Sequence, residues 1–215
     1  LDVAGDRRGA LRASARIDGL AFAPVGRSPG LSRIAGWLEG DARAARFRFD
    51  PAKPVGVDWV PAFGEPRSAL IEGELDGWRD DAGWHAATPS LRIASSGVAA
   101  TLRGGLHFVG GDGPHLDLAA QLDDFPAAAA KDLWIRHLMS PGIIAWLDAA
   151  LLSGRVHDGR VLVSGDLRDW PFVARDGHPG NGAFEATAHL QDATLKFQPG
   201  WPPFAHVDAD VAGVH

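Results

Sequence analysis

The side chains here that could do acid–base or metal chemistry are nine histidines and 27 carboxylates. No His-x-x-x-His or His-x-His pair occurs, so no single strand or helix face would offer two imidazoles to a metal ion. His107, His115, His189 and His206 fall on the polar side of alternating segments, where solvated or cross-strand imidazole is the expected state. Asp208 and Asp210 form an i, i+2 carboxylate pair, but no histidine or third carboxylate stands at a useful spacing, and a solvated polar face is the simpler reading. Ser164-Gly165 lacks a Gly-x-Ser-x-Gly elbow, which argues against a serine hydrolase. Gly110-Gly111-Asp112-Gly113 has the composition of a phosphate or calcium loop, yet a strand pattern follows where a phosphate loop needs a helix, so it reads as a hairpin turn. The absence of cysteine removes disulfides and thiolate metal sites. No catalytic residue, metal or cofactor is assigned, and the chain is expected not to be an enzyme. A glycan-directed enzyme working through tryptophans and carboxylates would need a concave pocket with converging polar groups.

Eight tryptophans with no tyrosine is a less ordinary signal. Trp37, Trp59, Trp78, Trp84, Trp134, Trp146, Trp170 and Trp201 could stack on sugars, touch lipid or anchor a core, and core or rim packing is the default for each. Trp170 and Trp201 lie in proline-rich contexts and are the two expected to be exposed.

The elements that must position these residues are strands. Leu11, Ala13, Ala15 and Ile17 alternate with Arg12, Ser14, Arg16 and Asp18, the period-two pattern of a half-buried strand. The same alternation runs through Val98–Phe108, Leu116–Leu122, Phe184–Leu190 and Val207–Val211, which predicts one-sided antiparallel strands rather than the continuous apolar runs of a parallel sheet. Strands are expected near 10–18, 32–40, 43–49, 55–60, 68–76, 83–87, 90–95, 98–109, 114–123, 158–168, 182–191, 193–198 and 205–212, with turn signals that include Asp76-Gly77 and Asp158-Gly159. One stretch departs from the pattern. Pro126 can open a helix through Lys131 and Trp134, and Ser140-Pro141 reads as N-cap and first residue of a second helix with Ile143, Ile144, Trp146, Leu147 and Leu151 along one side and Gly154 as its stop. Arg168 to Gly182 is too rich in proline and glycine for regular structure and reads as a long loop. The organisation is then a β-segment over 1–123, an inserted helical hairpin over 124–154, and the same sheet continuing over 155–215.

A net charge of −6 leaves no basic stripe, so nucleic acid is not an expected partner. With 46% hydrophobic and 22% charged residues the chain has globular composition. No apolar run approaches the ~20 residues that span a bilayer. The strand pattern is already running near residue 10 and still running at Val211, so the chain reads as a section of a longer protein whose targeting or anchoring segment would lie upstream.

Trp146-Leu147-Asp148-Ala149-Ala150-Leu151-Leu152-Ser153-Gly154, then Gly159 to Leu167, then Asp169-Trp170-Pro171-Phe172, resembles the YhdP-type proteins of the AsmA-like superfamily. Gly182 to Ala186, Asp192-Ala193-Thr194-Leu195 and Gln198-Pro199-Gly200-Trp201-Pro202-Pro203 continue the similarity, which is most specific over 120–212. The resemblance implies a periplasmic body of repeated β-groove units tethered to the inner membrane by an upstream helix, with phospholipid acyl chains and adjacent segments of the same long chain as partners. It implies a role in moving phospholipid towards the outer membrane and supporting that membrane's barrier. It brings no catalytic residue.

Residue pattern and resemblance meet on the apolar face. Ten strands at about 4.8 Å spacing make a sheet roughly 43 Å long, and such a face left open to water is an aggregation hazard. The expected fold is therefore mainly β, a long curved antiparallel sheet of β-groove type with a short helical hairpin. Leu116, Leu118, Leu122, Val161, Val163, Phe184, Ala186, Leu190, Leu195 and Phe197 are expected to line the groove, and Trp134, Ile143, Trp146 and Leu147 to gate or cap it. The competing expectation is a closed β-sandwich or barrel that buries its own apolar face and serves as an envelope scaffold or protein-interaction module.

Overall fold

In a computed structural model of the chain, the described residues are 2–5, 11–26, 28–109, 114–134, 136, 139–170, 172, 180–198 and 200–214. They form a single antiparallel sheet of thirteen strands. The strands are β1 (Asp2–Gly5), β2 (Leu11–Phe22), β3 (Gly30–Gly40), β4 (Ala44–Phe49), β5 (Val55–Asp58), β6 (Arg67–Arg79), β7 (Gly83–Ser95), β8 (Val98–Val109), β9 (His115–Leu122), β10 (Phe125–Pro126), β11 (Leu151–Asp166), β12 (Gly182–Leu195) and β13 (Phe204–Val214). The path β1-β2-β3-β4-β6-β7-β8-β9-β11-β12-β13 starts and ends on different strands, with β5 bridging β3 and β6 and β10 pairing β11. The sheet is open, and both buried clusters draw on neighbouring strands and the insert rather than on a second sheet. A closed sandwich or barrel is thereby replaced by an open sheet.

Short turns hold the meander, and two of them use one device. Asp41 Oδ1 accepts from the N–H groups of Arg43 and Ala44 between β3 and β4, and Asp80 Oδ1 accepts from those of Ala82 and Gly83 between β6 and β7. The two pairs expected to be turns are not turns. Asp76 and Gly77 lie inside β6, and Asp158 and Gly159 inside β11, where Asp158 takes φ 51 at a register shift. Bulges interrupt the pairing at Ile17/Leu20, Gly73/Asp76, Thr88/Leu91 and Leu190/Ala193 as well, and each bends its strand and increases the local twist. The bulge at Thr88/Leu91 absorbs Pro89, so the two strands expected at 83–87 and 90–95 are one.

Three short helices accompany the strands, and residues of one of them pack on the buried cluster around Val98 and Val156. Helix α1 (Val60–Phe63) follows β5, a 3-10 helix runs Ala127–Leu133, and α2 spans Pro141–Ala150. Ser140 caps α2, its hydroxyl accepting from Ile143 N at 3.3 Å, and Pro141 opens it as the sequence suggests. The helix stops at Ala150, four residues before Gly154, because Leu151 already pairs with Leu195 and Gly154 is inside β11. Lys131 Nζ donates to the Asp148 carbonyl at 2.7 Å, placing a cation on the last turn of α2.

Candidate functional site

Directly opposed residues of an antiparallel pair share a face, so the register can be followed across the sheet. Leu118 opposes Gly104 on one side and Val163 on the other, and Val163 opposes Phe184. Leu116 opposes Leu106, Ala120 opposes Leu102 and Val161, and Leu122 opposes Ala100. Towards the N-terminus the same face carries Ala86, Leu91 and Ile93 of β7, Ile71 and Leu75 of β6, Phe47 of β4, Leu38 of β3 and Ala15 of β2. Towards the C-terminus it carries Ala186, Ala188 and Leu190 of β12, then Ala209 and Val211 of β13. One apolar face runs across the strands from β2 to β13.

Cover over this face is uneven. At the end where β8 begins and β9 finishes, Phe125, Ala127 and Ala130 pack on Val98, Val156, Leu190 and Ala193, with Trp134 and Leu122 beside them. A second buried cluster of Ile34, Val55, Ala69 and Ile71 lies along β3, β5 and β6. At the opposite end of β11 and β12, Trp170 lies edge-on to Phe184 at 5.3 Å, and buried Phe172 lies where a Cβ on Gly165 or Gly182 would stand. Between these covers, Leu102, Leu106, Leu116 and Leu118 are half-buried, and Trp84 and Phe108 are exposed at 57% and 45%.

The predicted lining residues separate accordingly. Leu116, Leu118, Leu122, Val161, Val163, Phe184, Ala186 and Leu190 lie on the one face, with Val163 and Leu190 buried and the others half-buried. Leu195 sits at the strand end between Leu151 and Phe204. Phe197 is outside the sheet and exposed, its ring 5.6 Å from Phe204 and its carbonyl accepting from Trp146 Nε1 at 3.0 Å. Of the residues expected to cap, Trp134 packs on the buried cluster, Leu147 is half-buried in α2, and Ile143 and Trp146 are exposed. Trp201 is exposed, whereas Trp170 is half-buried because its ring covers Phe184. The Gly110–Gly113 turn and residues 171 and 173–179 of the long loop lie outside the described residues.

The opposite face is polar. Arg46 pairs with Asp76 at 2.6 Å and 3.0 Å, Arg48 with Glu74 at 2.7 Å, and Arg92 bridges to Asp123. These guanidinium groups hold the Asp76 and Asp123 carboxyls below the usual carboxylate range. Across β6 to β9 the rings of Trp78, His85, His107 and His115 stack at 5.0, 5.9 and 4.7 Å. His189 Nδ1 lies 2.9 Å from Asp210, and Asp208 accepts from Asp192 N at 2.8 Å, so that aspartate pair is engaged in cross-strand contacts. No group of three metal-ligating side chains occurs among the described residues, and no described helix is long and apolar enough to cross a membrane.

Face and fold define a class: an open antiparallel β-sheet protein with a continuous, partly uncovered apolar side. The particular family follows from the sequence, which matches the family described as YhdP protein over residues 1–212, and the chain belongs to that family. No curated protein and no solved structure matches it.

Proposed function

We propose that this chain is a section of a periplasmic lipid-transport protein of AsmA-like type, and that its apolar face carries phospholipid acyl chains between the inner and outer membranes. The observation that supports this reading is the register itself. Side chains from β2 to β13 form one apolar surface whose middle rows, among the described residues, are neither packed against a second sheet nor covered by the helices. Burial of hydrocarbon returns about 25 cal/mol for each Å² removed from water, so acyl chains are a suitable cover for the rows that no described element covers. The role is one of conduction, without a catalytic group or cofactor, and adjacent segments of the same longer protein would continue the surface. An upstream helix would tether the whole to the inner membrane.

Native mass spectrometry and lipid extraction on protein purified from cells test the proposal. Phospholipid is expected to co-purify in non-covalent complex with the chain. Its absence, together with a dry and fully packed apolar face in a crystal, would overturn the conduit.

A further inference from the structure

The registered apolar face between β2 and β13 carries two charged positions among the described residues, Arg67 and Arg79, one at each end of β6. Arg67 is occupied: its guanidinium donates to Asp132 and lies over the Phe63 ring at 4.8 Å. Arg79 is different. Its backbone N–H is used by the Arg43 carbonyl, but its guanidinium lies over the Trp84 indole at 5.6 Å and has no carboxylate partner among the described residues. The nearby Asp80 is engaged by His85 and by the Ala82 and Gly83 amides.

We propose, resting on the lipid-binding reading above, that Arg79 seats the phosphate of a phospholipid headgroup at the rim of the apolar face. Arg79 opposes Trp84, and Trp84 opposes Phe108. The next row inward is Gly77, Ala86, Leu106 and Leu116. The rim row is thus a cation beside two exposed aromatic rings, and the row inward of it is aliphatic surface, so a headgroup on Arg79 leaves the chains to run over the apolar rows. Tryptophan suits such a boundary because one edge is polar and the rest apolar. A guanidinium held over an indole without a carboxylate leaves its N–H fork available for two oxygens of one phosphate, a bidentate geometry that lysine does not reproduce. A cation with no carboxylate partner among the described residues, set beside an apolar floor, is complementary to an anionic amphiphile and offers nothing specific to a neutral one.

Binding of short-chain phosphatidylglycerol below its micelle concentration tests this, with an alkyl maltoside and an alkyl carboxylate of matched chain length as comparisons. Arg79→Gln is expected to weaken phosphatidylglycerol binding about tenfold, the loss of one charge-assisted contact, and to change maltoside binding by less than about twofold. Arg79→Lys should recover part of the loss. Unchanged phosphatidylglycerol affinity in Arg79→Gln, an equal loss for the maltoside, or a carboxylate that binds as tightly as the phospholipid and loses as much would each overturn the phosphate seat. Failure of the unaltered protein to bind any of the three would overturn the lipid-binding reading itself.

Discussion

The Arg67 guanidinium donates to the main-chain carbonyl of Asp132 at 2.6 Å and to its carboxylate at 3.2 Å. Arg67 starts β6 and Asp132 belongs to the 3-10 helix, so one side chain ties the N-terminal half of the sheet to the insert that covers its C-terminal half. Arg67 is mostly buried, and the shorter of its two contacts is to the backbone. Arg67→Ala should therefore lower stability by about 2 kcal/mol. Asp132→Ala keeps the carbonyl acceptor and should cost less than ~1 kcal/mol. Urea denaturation of the two variants measures the difference.

Leu118 and Val55 occupy the same apolar face with different cover. Val55 is 1% exposed within its cluster, while Leu118 is half-buried in the uncovered middle rows. Val55→Asp should prevent folding, because the carboxylate would be buried without a partner. Leu118→Asp should leave far-UV circular dichroism and a cooperative melt in place and abolish co-purification of phospholipid. Unfolding of Leu118→Asp would show that this row is core.

Thr88 sits on the apolar face opposite Gly104, and its hydroxyl is buried with no hydrogen-bond partner among the described residues. Thr88→Val removes that polar group at nearly constant shape and should raise stability by about 1 kcal/mol. Gly104→Ala should do the reverse. Gly104 takes φ 144, and an added Cβ would meet the Asp117 carbonyl oxygen, so roughly 2–4 kcal/mol should be lost. Thermal and chemical denaturation check both signs.

Acid should weaken the sheet through its paired carboxylates. The Arg168 side chain, followed by its backbone N–H, holds Asp166 at about 2, against an ordinary value of 3.8. A depressed folded pKa contributes stability that is present above the unfolded value and lost as pH falls through the folded one. For Asp166 that window runs from about 4 down to about 2. Asp76, Asp80 and Asp123 are lowered in the same direction by Arg46, His85 and Arg92. Midpoints of urea unfolding measured across this range should fall with pH, and Arg168→Ala should flatten the curve.

The alternation at Leu116, Leu118 and Leu122 is enough by itself to place those residues on one face, because a period of two leaves no other arrangement. The strands that escape the pattern do so for local reasons. Pro89 divides β7 into two apparent segments, and Asp192 at φ 48 divides β12 in the same way, since a bulge shifts the alternation without ending the pairing. The first residues of β11 read as a helix tail because Leu151 and Leu152 continue the apolar character of α2. Helix α1 has four residues, too few to carry a period. Arg79 gives no sequence signal at all. Its place at the rim depends on the bulge at Gly73/Asp76 and on pairing with Trp84.

The stacked rings of Trp78, His85, His107 and His115 stand immediately behind the uncovered rows, since Ala86, Leu106 and Leu116 adjoin the three histidines in sequence and point the other way. Four flat rings in contact across four strands resist splaying and sliding of those strands from the rear. The sheet thus gains its stiffness on the wet side, and the dry side can remain without a packing partner and still keep its shape.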